Sequence, residues 1–240
     1  MQFIKPFGFD WFRYDILLPH TYFYFEKPIK KPDIKIKLIN THIPQNKKWD
    51  PKFIPIEINN NFKYIQQAIK EGYDVVVLPE TAFSLALNRY RDLLDYLISL
   101  SKHITIITGA LSYQNNRYYN STYLFQDGEF HIYNKHILVP FGEYIPFCCK
   151  KTLNKIFFDG ANDYIPAPNF NTYQIKGFEF INAICYEATN QKLYKLPPKY
   201  IIAISNNAWF TPSIEPTLQK LIIQYYSLKY QKLVFHSKNQ

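Results

Sequence analysis

A carboxylate, an ammonium and a thiol each stand at the end of an apolar run in this sequence: Glu80 after residues 73–78, Lys135 after residues 130–133, and Cys185 after residues 178–184. Together they could support nucleophilic catalysis by the thiol. An unperturbed cysteine has a pKa near ~8.5 and is mostly protonated at neutral pH. A nearby ammonium stabilises the thiolate, and a carboxylate can accept the thiol proton. The same ammonium can face the oxyanion of a tetrahedral intermediate, and a buried lysine needs a counter-charge such as Glu80. Each residue alone has a plainer reading. Free cysteines are commonly core thiols, and a glutamate after a strand can be solvated or can begin a helix.

The elements that must position these groups follow from periodicity. Residues 34–39 alternate and predict a strand, with a loop at 44–49 after it. Residues 57–71 carry Ile58, Phe62, Ile65 and Ile69 at helical spacing and stop at Gly72. The Val-rich run 73–78 predicts a strand covered on both faces. A helix at 89–101 and a strand at 104–110 follow. Asp127-Gly128 predicts the turn of a hairpin pairing residues 118–125 with 130–133. Pro140, Gly142 and Pro146 mark residues 139–146 as an irregular loop. A second hairpin (172–175 with 178–184), a strand at 200–204, a helix at 217–231 and a strand beginning at 233 complete the order. That order predicts a mixed α/β protein with helices covering sheets.

Composition bounds the function. The 240 residues are 47% hydrophobic and 20% charged, enough for one large domain. The net charge is +9, but only four of the 28 basic residues are arginine, which argues against a nucleic-acid reader. Three cysteines, with Cys148 and Cys149 adjacent, do not make a disulfide framework. His42, His103, His131 and His136 lack metal-ligand spacing, no phosphate-binding loop is present, and His136 is read as shaping the loop beside Lys135. No signal peptide is expected, and no run approaches the ~20 apolar residues of a spanning helix. Residues 1–32 are aromatic and read either as a loosely packed arm or as a surface lying against lipid headgroups.

Several stretches resemble the nitrilase (carbon–nitrogen hydrolase) superfamily, and within it the apolipoprotein N-acyltransferase branch. They are Leu78-Pro79-Glu80-Thr81-Ala82, the run from Tyr133-Asn134-Lys135-His136 to Phe141-Gly142-Glu143-Tyr144-Ile145-Pro146, and Ile184-Cys185-Tyr186-Glu187. Ile43-Pro44-Gln45 with Lys48-Trp49, and Ser205-Asn206-Asn207-Ala208-Trp209-Phe210, are similar to it too. The resemblance spans residues 33–240 and implies a four-layer α-β-β-α sandwich, with residues 1–32 as the remnant of a membrane region. It implies Cys185 as nucleophile, Glu80 as general base, Lys135 as oxyanion stabiliser and Glu143 as a second carboxylate orienting Lys135. Tyr186, Glu187 and Trp49 would line the site, with Phe141, Tyr144, Phe147 and Trp209 as candidates to hold acyl chains. The implied reaction needs no cofactor or metal. A phospholipid donates its acyl chain to Cys185 as a thioester, and the N-terminal amine of a diacylglyceryl-cysteine lipoprotein then takes it, at the periplasmic face of the inner membrane.

The sequence also departs from that pattern. Family members carry membrane helices; residues 7–12 resemble only a loop of that part. Thr211-Pro212 stands where Gly-Asp is common, residues 226–232 lack the usual Arg and Glu, and the C-terminal sheet strands are expected to be incomplete. Two further readings therefore stand beside the acyltransferase: a soluble nitrilase-type amidase using the same triad, and an inactive fragment that binds membrane through its arm.

Overall fold

Strand β2 (Val75–Val77) is buried on both faces, as its run of three valines requires. Val75 and Val77 point to one side, into a cluster with Ile107, Phe180, Ile184, Ile202 and Ile204; Val76 points to the other, against Ile65, Leu94 and Leu97. That alternation places β2 in the middle of a layered molecule. The computed structural model describes residues 29–145 and 163–240. Those from Lys31 onward belong to one compact unit. Most of the 1–32 arm, together with Phe147, Cys148 and Cys149, lies outside the described residues.

Among the described residues the first sheet has six strands. β1 (Ile36–Leu38), β2 and β4 (Thr105–Gln114) run parallel, and β4, β5 (Arg117–Gln126) and β6 (Glu129–Asn134) continue antiparallel, with β3 (Phe83–Ala86) also pairing to β4. The second sheet is ordered β10-β9-β8-β7, from β7 (Thr172–Ile175), β8 (Phe178–Ile184), β9 (Tyr200–Asn206) and β10 (Leu233–Asn239). Here β8, β9 and β10 are parallel.

Five helices complete the described part: the short α1 (Gln45–Lys48) and α4 (Gln191–Tyr194), and the longer α2 (Ile54–Lys70), α3 (Arg91–Ser101) and α5 (Glu215–Lys229). Helices α2 and α3 bury Ile65, Ala68, Leu94 and Leu97 on the outer face of the first sheet. Helix α5 sets Ile223 and Tyr226 against Ile181, Ala183, Ile201 and Ala203 on the outer face of the second. The inner faces meet through Val77, Leu124, Phe180 and Ile204. The result is the four-layer α-β-β-α sandwich expected from the resemblance. Each fully buried aliphatic side chain contributes about 1.5–3 kcal/mol, so these layers dominate the stability.

The expected hairpin turn is present: Asp127 and Gly128 both have positive φ, 53° and 85°, as a two-residue turn with the strands' right-handed twist needs. Two equivalent turns use Asn115-Asn116 and Lys176-Gly177. The structure adds β3, α1 and α4, for which no element was predicted, and extends the strand predicted at 104–110 to Gln114. Among the described residues no helix is long and apolar enough to cross a membrane.

Candidate active site

Glu80 lies just past β2, in a turn that the backbone holds tightly. Leu78 N–H donates to Ile107 (2.8 Å) and Gly109 N–H donates to the Pro79 carbonyl (3.1 Å). Thr81 then takes φ = 49°, a conformation unusual for a β-branched residue, and its hydroxyl donates to the Glu80 carbonyl. Gly109 permits this approach, since a Cβ there would lie 2.5 Å from Thr81 N and 2.6 Å from Glu80 Cα. The Glu80 carboxylate is buried. Oε1 accepts from Asn120 Nδ2 (2.8 Å) and Oε2 from Asn206 N–H (2.7 Å).

Lys135 follows β6 and is 1% exposed. Its N–H donates to the Asn120 carbonyl (2.8 Å), and its carbonyl accepts from Ala167 (2.7 Å). The ammonium lies 2.8 Å from Glu143 Oε2 and 3.7 Å from Glu80 Oε1. Burial pulls the Lys135 pKa down, but Glu143, Glu80 and Cys185 outweigh it and the net displacement is upward. This ammonium stays charged. Glu143 is fixed by its own loop: Oε2 accepts from Val139 N–H (2.8 Å), while Oε1 accepts from Asn120 (2.6 Å).

Asn120, absent from the sequence-based candidates, joins the two acids. Its single amide nitrogen donates to both Glu80 and Glu143, one hydrogen to each, which uses the donor capacity of an NH2 group in full. The reverse orientation would press Oδ1 against two carboxylates, so the chemistry fixes the amide assignment. Asn206 was quoted only as part of a motif. Its backbone holds Glu80, its Nδ2 donates to Gln45 Oε1 (2.9 Å), and its Oδ1 accepts from Asn239 (2.8 Å). Asn239 in turn accepts from Thr41 Oγ1 and Ile43 N–H and donates to the Ile43 carbonyl, so β10 anchors the segment leading to α1.

Cys185 directly follows β8, takes φ = 52° and opens a 3-10 turn, Cys185–Thr189. Positive φ at a non-glycine residue is strained, and such strain clusters where a side chain must be aimed. The thiol is buried, with Gln219 Nε2 of α5 3.9 Å from Sγ. Burial pushes its pKa up, Glu80 and Glu143 add to that, and Lys135 opposes them. The group rests as a thiol and needs a base at the moment of attack. Glu80 and Glu143 are tied to each other through Lys135, and all three act on the Cys185 charge.

The other candidates divide into buried and exposed. Both oxygens of Glu187 bind backbone: Oε1 accepts from His136 (2.7 Å) and Ile137 (3.1 Å), and Oε2 from Ile184 (2.7 Å). It clamps the loop after Lys135 to the end of β8; burial pushes its pKa up to about 6 against Lys135 and those bonds. His136 shapes the same loop through Nδ1 and the Ala167 carbonyl (2.7 Å). Trp49, Phe141, Tyr186 and Trp209 are exposed, at 37, 54, 45 and 59%. Each lies within two residues of a buried polar one: Lys48, Glu143, Glu187 and Asn207. Tyr144 is half-buried and, with Ile137, Leu138, Ile145, Tyr164 and Ile165, helps line a cavity of about 410 Å³.

A buried thiol at a strained strand end, and a buried ammonium held between two carboxylates that act on its charge, sit here in a four-layer sandwich. Residues 58–237 match the carbon-nitrogen hydrolase family model, and the chain belongs to that family. Among solved structures it is similar to a CN-hydrolase superfamily protein from Xanthomonas campestris (TM-score 0.65, 13% identity, covering 87% of this chain and 77% of that one). It is also similar to a Saccharomyces cerevisiae member of branch 10 of the nitrilase superfamily (TM-score 0.61, 18% identity, covering 86% and 75%). In sequence it is 42% identical over 230 residues to the apolipoprotein N-acyltransferase of Wolinella succinogenes, covering 94% of this chain and 55% of that protein. It is 39% identical over 214 residues to that of Helicobacter hepaticus, covering 87% and 53%. The chain thus spans about half the length of these relatives.

Proposed function

We propose that this chain carries the acyl-transfer site of an apolipoprotein N-acyltransferase, with Cys185 as nucleophile. The observation that carries the reading is the buried cluster of Lys135, Glu80 and Glu143 coupled to the Cys185 thiol. As Sγ attacks the ester carbonyl of a phospholipid, the thiol proton passes to Glu80. The carbonyl oxygen becomes an oxyanion facing Lys135, which Glu143 holds in place. The C–O bond then breaks, Glu80 returns the proton to the departing lysophospholipid oxygen, and a thioester remains. In the second half, the α-amine of a diacylglyceryl-cysteine lipoprotein attacks the thioester, Glu80 takes its proton, and the thiol is restored.

An amine must win over water in that second step, so the acyl chain needs apolar cover. The exposed Trp49, Phe141, Tyr186 and Trp209, and the half-buried Tyr144, supply apolar surface for it, and Phe147 is assigned the same role. Aromatic residues with one wet edge favour the lipid–water interface, in keeping with work at the periplasmic face of an inner membrane. The test is intact-mass analysis after incubation with phospholipid in detergent. A single acyl adduct on Cys185, released by hydroxylamine and absent in Cys185→Ser, is expected. Turnover of small amides without lipid, with no adduct, would replace this reading by an amidase.

A further inference from the structure

Lys48 is among the largest fully buried side chains, at 0% exposure, and among the described residues its ammonium has no hydrogen-bond partner. A lone buried ammonium is costly, so its surroundings need an explanation. It lies on α1, whose Gln45 accepts from Asn206 Nδ2 (2.9 Å). Asn206 N–H donates to Glu80. The helix that carries Lys48 is thus two hydrogen-bonded steps from the carboxylate assigned as base.

The acids that act on the Lys48 charge are Glu57 on α2, the stronger, and then Glu80. Glu57 is buried too; among the described residues its Oε1 has no partner, and its Oε2 has only a long bond from Ser84 (3.5 Å). A pair serving stability alone gains most by closing into a hydrogen-bonded contact. Lys48 and Glu57 do not close in this way, and Glu80 acts on the same ammonium. Glu80 and Glu143 together outnumber the Lys135 cation, and an oxyanion adds a further negative charge. Both carboxylates disfavour a thiolate at Cys185.

We propose that Lys48 is a second ammonium of this site: a positioning residue that, kept charged by Glu57, offsets the excess negative charge around Glu80 and so sustains the nucleophilicity of Cys185. The proposal rests on Cys185 being the nucleophile, not on the identity of the acyl donor. The charged and titratable groups concerned are Glu57, Glu80, Lys135, Glu143 and Cys185. Burial holds Lys48 down to about 8, with Glu57 and Glu80 opposing. Its charge is therefore present at neutral pH and lost as pH rises through about 8.

The test is iodoacetamide alkylation of Cys185 from pH 6 to 10, read by peptide mass in the full chain with Cys148 and Cys149 replaced by Ser. The alkylation rate should climb with pH and then flatten near pH 8 as Lys48 discharges. Lys48→Met should react ~10-fold more slowly at pH 7, the effect of about one pKa unit, and show no flattening. Lys48→Arg should keep the neutral-pH rate and move the flattening to higher pH. Glu57→Gln removes the larger upward pull on Lys48, so the flattening should move to lower pH. A Lys48→Met protein alkylated at the parent rate, or still flattening near pH 8, would overturn the proposal. Should Lys48→Met not fold, Lys48→Arg decides, because a break left near pH 8 in that variant rules Lys48 out. An alkylation profile that follows Lys48 in a protein forming no lipid thioester would retain this role and reject the phospholipid donor.

Discussion

Asn120 shows what a single residue does in this site. Two carboxylates sharing one buried region repel each other, and the Lys135 ammonium compensates only one charge. The Asn120 amide, though uncharged, eases the repulsion by donating a hydrogen bond to each. Asn120→Ala removes two hydrogen bonds to charged groups and is expected to destabilise the fold by about 3 kcal/mol, from the usual range for such bonds. Asn120→Asp keeps the shape but adds a third acid, so it should be less stable than Asn120→Ala and react more slowly at Cys185. Urea unfolding with iodoacetamide alkylation checks both; equal stability and reactivity in the two variants would refute the shared-donor role. Glu80, Lys135 and Cys185 were legible in the sequence because each follows an apolar run, where a polar group must have a reason to be. Asn120 was not, because it sits inside β5 among Tyr118, Tyr119, Ser121 and Thr122, where a polar residue carries no signal of its own. Asn239 was illegible for another reason. Its partners Thr41 and Ile43 are nearly 200 residues away, and no local pattern encodes such a pairing.

At the scale of elements, the exit from β2 depends on β4 having no side chain at one point. Gly109 has no positive φ to protect, so only space makes it glycine. Gly109→Ala would force the Pro79–Thr81 backbone away, and Glu80 with it. The expected cost is about 3 kcal/mol, within the range for overpacking a filled core, together with slower modification of Cys185. Gly177→Ala is the matched control. Its hairpin position has φ = 79° and open space for a Cβ, so it should lose about 1 kcal/mol for the left-handed conformation and leave Cys185 chemistry unchanged. Thermal melts and alkylation rates separate the two; equal effects on Cys185 would remove Gly109 from the site. Strands β2, β4, β8 and β9 were legible because burial on both faces demands long apolar runs. Strand β3 was not, because Phe83-Ser84-Leu85-Ala86 is too short and mixed to show a period, and it pairs to β4 with a shift in register. Helix α5 was legible in type but not in start, since Glu215-Pro216 opens it two residues before the predicted boundary.

Over the whole molecule, one buried and one half-buried titrating group set opposing pH dependences. His236 on β10 bonds Ser205 Oγ through Nε2 (2.8 Å), and its pKa is lowered to about 4, first by burial and then by Lys238. A depressed pKa favours the neutral ring in the folded state, so its contribution is complete above pH 6.5 and is lost as pH falls through 4. That loss is at most about 3 kcal/mol, because the ring is partly exposed. Glu187 runs the other way. Its pKa is raised to about 6, so the folded state holds the proton more tightly than the unfolded chain. Its contribution is complete below about 4.5 and is lost as pH rises through 6, a swing of about 2 kcal/mol. Between pH 6.5 and 4 the two largely cancel, and the parent protein should lose only about 1 kcal/mol from this pair. His236→Gln should therefore gain stability on acidification across that window relative to the parent, while Glu187→Gln should lose it more steeply. Urea midpoints at pH 7, 5.5 and 4 for the three proteins give the comparison. Parallel curves would mean that neither group changes its proton affinity on folding, and that the clamp between the Lys135 loop and β8 is indifferent to the charge on Glu187.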